Sequence, residues 1–204
     1  MKWLLASLAV LIIAAVATQI LLPRIGENQV EDRLTKGGGT AEVNIEAVPA
    51  IRLLFDDGDK LEVRAQEVAI PIDDIQGKSF KEFDGFNEVN VRLDLSRVGP
   101  FFAEDCTIIR GEGDALYAFH FRGRTSPADI GEFALAGLPP LLRSALTALA
   151  GRAGTQDLPI RLDVSLRSEN GRARVVGGTG TVAGLPLGGF ALGIAGAIIS
   201  RITG

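Results

Sequence analysis

Cysteine is almost absent: Cys106 stands alone in 204 residues, so an internal disulfide and a thiolate metal cage are both excluded. Histidine is as scarce. His120 is the only one, and the sequence offers it no evident partner for metal or proton-transfer work. Basic clusters are missing too. The 21 Lys and Arg residues are scattered through a chain of net charge -4, which excludes general nucleic-acid binding by counterion release. No Ser-His-Asp set or nucleophile elbow is present. "DDGD" at 56–59 lacks the order and distal Glu of a calcium loop, and reads as a solvated turn. "VGGTGTVAG" precedes no Lys-Ser/Thr and sits in a hairpin pattern, so it is not a phosphate cradle. The expectation is a non-enzyme with no cofactor and no metal.

What the chain has is apolar residues, 47% against 23% charged, enough for a sizeable core. Trp3 to Pro23 carries no charge, and Lys2 is the only charge before Arg24. That run is long enough to span about 30 Å of hydrocarbon as a single-pass anchor. Ala15-Val16-Ala17 equally supplies a small-x-small cleavage site for a signal peptide. Both readings send the body out of the cytoplasm: to the outer side of the cell membrane if anchored, to a secreted or periplasmic state if cleaved after Ala17. The organisation expected is an anchor or signal peptide over 1–23, a juxtamembrane amphipathic helix and Gly linker over 24–39, and one domain over 40–204. Val30 and Leu34 give the short helix its apolar stripe, and "GGG" at 37–39 ends it.

The body alternates with period two. "AEVNIEA", "KLEVRAQ", "NEVNVRLDLSRV" and "PIRLDVSLRS" each put apolar side chains on one face, including Val89, Val91, Leu93 and Leu95 together in the third. "ALYAFHFRG" puts Tyr117, Phe119 and Phe121 on one face and Leu116, Ala118 and His120 on the other. Asn170-Gly171 and "GEGD" at 111–114 mark hairpin turns. The pattern predicts an antiparallel sheet with one dry and one wet face. Two segments have helical patterns instead. "SPADIGEFALAG" runs into "LPPLLRSALTALAG", whose only polar stripe is Arg143, Ser144 and Thr147. "LPLGGFALGIAGAIISRITG" closes the chain with no charge from Leu185 to Ser200. At 16 residues, roughly 24 Å of helix, it is short for a second membrane span. It is either a helix sealed in an ordinary core or one wall of an acyl-chain cavity, and periodicity does not separate the two.

"AEVNIEAVPAIRLLFDDGDKLEVRAQEV" joins a strand, Pro49, an apolar turn over Ile51 to Phe55, Gly58 and a second strand. With "LPIRLDVSLRSENGRARVVGGTGTVAGLPLG" it resembles the LmeA-like phospholipid-binding family of actinobacterial cell-envelope proteins. Val48 and Ala50 flank Pro49 where family members often carry a Phe. The resemblance implies an α+β fold of tubular lipid-binding style, a curved antiparallel sheet with apolar helices on its inner face. It implies phospholipid or glycolipid as ligand and a supporting role in envelope lipid or glycolipid assembly or transport, with envelope-assembly proteins as possible partners. The expected groove is lined by Val91, Leu93, Phe119 and Phe121 on the sheet. Leu141, Leu142 and Leu146, with Phe190, Ile194 and Ile198, face them from the helices. Ile51, Leu53, Leu54 and Phe55 are expected to touch the outer face of the cytoplasmic membrane. The alternative is a membrane-anchored scaffold or interaction domain with a solid core and no ligand.

Overall fold

The computed structural model describes residues 2–70, 79–126 and 157–186; side chains of 2–17, 79 and 185 are outside the description. Within that range the chain is α+β: an open, antiparallel-rich sheet with a few helices. Helix α1 spans Lys2–Thr35 and β1 spans Thr40–Glu46. A 3-10 turn, η1, covers Ala50–Phe55. Then come β2 (Gly58–Gln66), β3 (Ala69–Ile70), α2 (Ser79–Asp84), β4 (Phe86–Val98) and β5 (Phe101–Arg110). The remaining strands are β6 (Tyr117–Thr125), β7 (Leu158–Glu169), β8 (Arg172–Val182) and β9 (Leu185–Pro186). The helical patterns over 127–156 and 187–204 lie outside the described residues.

The sheet runs β1-β2-β4-β5-β6-β7-β8-β9, with β3 beside β4. One pairing departs from the all-antiparallel expectation. β2 and β4 are parallel, because a crossover containing α2 rather than a hairpin joins them. The Asn170-Gly171 turn is as expected, with both residues at positive φ (58° and 78°), the geometry of a tight β7–β8 hairpin.

A second departure concerns Leu95. Alternation alone groups it with Val89, Val91 and Leu93, yet it is exposed, at φ 49°, and Ser96 takes the buried position. β4 here places Asp94 and Leu95 outward in succession, and β5 does the same opposite with Glu104 and Asp105. Just past β2, Glu67 (φ 57°) is likewise an extra outward residue before buried Val68. β8 has a further bulge, at Val176, where the register against β7 shifts. Each strand so affected carries an extra residue on its polar face, which lengthens that face and bends the strand toward the apolar one.

α1 is one continuous helix through Pro23, so no break separates the apolar run from the charged turn that follows it. Among the residues described with side chains, from Thr18 onward, no helix is long and apolar enough to cross a membrane. The lower half of α1 lies along β1. Glu31 accepts the Val43 N–H at 3.0 Å and Glu27 accepts the Ile45 N–H at 3.0 Å. These are alternate amides of an edge strand, and two carboxylates one helical turn apart satisfy both. Val30 and Leu34 pack against the core from the same helix. Gln19 extends the seal. It donates to the Ala47 carbonyl at 2.8 Å and accepts the Ala50 N–H at 2.7 Å.

Candidate functional site

The strand register sets the apolar side chains in rows across the sheet. One row reads Val43, Val63, Val91, Ile108, Phe119, Val164 and Gly178. The next reads Ala41, Ala65, Leu93, Cys106, Phe121, Leu162 and Gly180. A third runs Ser96, Ala103, Gly123, Ile160 and Val182. The third row joins the first two as one continuous apolar surface because the extra residues at Leu95 in β4 and Glu104 in β5 fall at the same level.

Along the first two rows side-chain size rises and then falls, whereas the third has Gly123 on β6 and Val182 on β8. Phe119 and Phe121 stack with ring centroids 6.3 Å apart, and Phe101 meets Phe121 edge-on at 6.2 Å. Two strands further, Gly178 and Gly180 contribute no side chain. Gly178 sits at φ 135°, and a Cβ there would meet the Asp163 carbonyl at 2.3 Å, so the close approach of β8 to β7 requires glycine. Over those two rows the surface therefore has a wall at β6 and a trough at β8.

The four strand residues expected in the groove, Val91, Leu93, Phe119 and Phe121, share this face in two adjacent rows. Val91, Leu93 and Phe121 are buried and Phe119 half-buried. Leu141, Leu142, Leu146, Phe190, Ile194 and Ile198 lie outside the described residues. Cys106, a small buried strand residue as its alternating surroundings imply, sits between Leu93 and Phe121, while the two inward glycines were missed. Alternation in "CTIIR" and "VGGTGTV" carried that signal once β5 and β8 were aligned. Burial, reinforced by Asp105, pushes the Cys106 pKa up to about 12 and favours the neutral thiol.

One end of the apolar surface is closed by a polar cluster. Arg110 donates to the Tyr117 hydroxyl and to the carbonyls of Phe83 and Phe86. Tyr117 donates to Asp84 at 2.9 Å, and Ser168 also donates to Asp84. The guanidinium lies over the Tyr117 ring, 4.5 Å from its centroid. Burial and the hydrogen bond to Asp84 hold the phenol protonated well above its ordinary range. The cluster ties α2 to the ends of β5, β6 and β7. Among the described residues no buried side-chain polar atom lacks a partner, and no group of three potential metal ligands forms.

η1 stands beside this same end. In a 3-10 turn, residues three apart eclipse, so its side chains sort into three lines. Ala50 is fully buried and Leu53 packs against the core, so Leu53 parts from the other three tip residues. Ile51 and Leu54 point out, 46% and 61% exposed, and Phe55 is 78% exposed. On the third line Arg52 folds back to Asp57 at 2.7 Å and Asp59 at 2.6 Å. His120, which the sequence gives no metal or proton-transfer partner, is a surface histidine that meets Asp163 at 2.5 Å on the outer face, its register partner on β7. The pair is exposed and remote from the apolar surface.

No family model, curated protein or solved structure matches the chain.

Proposed function

We propose that this protein is a lipid-binding domain, tethered by α1 to the outer face of the cytoplasmic membrane, that holds acyl chains against the apolar face of its sheet. The observation that carries the reading is the pair of rows running from Val43 and Ala41 to Gly178 and Gly180. An aromatic wall beside a glycine trough suits a flexible chain, which needs length and smoothness rather than directed hydrogen bonds. Each buried methylene contributes about 0.8 kcal/mol, so two acyl chains outweigh any exposed charge contact, at about 0–1 kcal/mol each. The ligand is a phospholipid or glycolipid, and the role is support of envelope lipid assembly or transport, as the resemblance implies. The uncharged run from Trp3 to Pro23 supports the tether.

The test is organic extraction of the full chain purified in mild detergent, followed by mass spectrometry. Co-purified lipid at constant stoichiometry is expected. A fluorescent fatty-acyl probe should then be displaced by lipids in order of chain length, at low and high salt alike. The low exposure of Val89, Tyr117 and Leu166 also fits a filled core, the scaffold alternative. Absence of lipid together with absence of probe binding would establish that alternative.

A further inference from the structure

We infer that the η1 tip and the upper turns of α1 form a single membrane-inserted surface, whose occupant is the interfacial zone of a lipid bilayer, with Gln19 setting the depth. This rests on the tether proposed above. The bonds from Gln19 to Ala47 and Ala50 place η1 at the level of residue 19 on the helix. That level lies near the end of the uncharged run from Trp3 to Pro23. Gln19 precedes Arg24 by five residues, about 7.5 Å of helix at about 1.5 Å per residue. If the run through Pro23 spans about 30 Å of hydrocarbon, the level of Gln19 falls about 6 Å inside its outer boundary. Ile51, Leu54 and Phe55 meet the bilayer there, beside exposed Ile20 and Leu21 on the helix and Val48 before the turn. Exposed apolar side chains on two elements are thus brought to one depth by one bidentate amide, at the end from which the apolar run projects.

The charges at the tip say what kind of surface it meets. Arg52 is committed to Asp57 and Asp59, and Asp56 adds a further negative charge. The tip offers no free cation to an anionic headgroup, so insertion is driven by apolar burial and needs no anionic lipid. A fixed tip also fixes orientation. The end of the sheet bearing α2 and the Arg110 cluster faces the membrane, and the Gly99 and Thr125 end faces away.

The experiment uses the full chain in phosphatidylcholine vesicles, labelled with an environment-sensitive fluorophore at Phe55→Cys or, as control, at Arg97→Cys near the opposite end. Cys106 is buried and leaves labelling to the introduced thiol. The expected result is blue-shifted emission at position 55, quenched by nitroxide lipids of shallow depth, and water-like emission at 97. Gln19→Ala should leave the chain resistant to alkaline extraction yet reduce quenching at 55 by at least half, and Gln19→Asn should restore part of it. A purely structural role for Gln19 would not separate retention from depth in this way. Water-like emission at 55 in a chain that resists alkaline extraction overturns the inference and leaves the tether standing. Release of the chain by alkaline extraction overturns the tether and the inference with it. Neither outcome bears on the lipid found by organic extraction.

Discussion

The two flanks of the sheet are built on opposite principles. At β1 the edge is sealed by a long helix that supplies carboxylates to the strand's amides and an amide to the turn beyond it. At the middle of β8 the sheet thins to glycine, and among the described residues β9 pairs through Thr181 with Pro186 and Val182 with Leu185. The first flank is held by directed polar bonds that fix position. The second relies on backbone fit and leaves the inner surface smooth. The proposed function would use both, with one side tied to the membrane and one accepting a chain of variable shape.

The largest expected effect comes from filling the trough. Gly178→Val introduces a Cβ into the backbone of Asp163 and Val164 and a side chain at φ 135°. Overpacking costs about 1–3 kcal/mol. The disfavoured backbone adds about 1–3 kcal/mol. Urea denaturation of the full chain in detergent should show the loss, and acyl-probe binding should fall with it. Next comes the sealed flank. Glu27→Ala with Glu31→Ala orphans the Val43 and Ile45 amides, at about 1–3 kcal/mol each. Amide hydrogen exchange at those two residues should accelerate while exchange in β7 and β8 stays unchanged. The Gln variants at both positions keep an acceptor and should lose less. If β7 and β8 loosen equally, the flanks are one cooperative unit and the contrast between them fails.

What the sequence disclosed and what it hid follow the same division. Period-two alternation in β1, β2, β4, β6 and β7 identified the dry face, and with it Val91, Leu93, Phe119 and Phe121, because one-sided burial imposes that period. It failed at Leu95. A bulge shifts the phase by one residue, and no local pattern in "RLDLSRV" announces it. It failed for the parallel β2–β4 pair because hairpin signals report only neighbours in sequence, and nothing within 67–85 states where the chain returns. The polar partnerships were hidden for a related reason. Nothing local marked Glu27 and Glu31 as acceptors for β1 amides or Asp163 as the neighbour of His120; helix docking and strand register made those pairs.

The smallest expected effect concerns acid and the tip. Arg52 hydrogen bonds hold Asp57 and Asp59 below the ordinary carboxylate value of 3.8, and the Val48 N–H further lowers Asp59. A depressed carboxylate contributes stability that is fully present above its ordinary pKa and is lost as pH falls through the lowered one. The hydrogen bonds to Asp57 and Asp59 raise Arg52 further above its ordinary value, so its side of the linkage is lost only in strong alkali. The fold of the tip should therefore be indifferent to pH from neutrality down to about 4 and loosen only in stronger acid. Hydrogen exchange at the Asp56 and Asp57 amides, which bond Leu53 and Arg52 carbonyls, reports this directly, after correction for the intrinsic pH dependence of exchange. Arg52→Lys replaces a fork by a single point charge that does not bridge both carboxylates, and should move the loosening upward toward ordinary carboxylate pKa values. Amides bonded strand to strand between β6 and β7 provide the internal reference. If Arg52→Lys leaves the acid response of the tip unchanged, the clamp is not what holds η1 in place, and the Gln19 bridge alone sets its position.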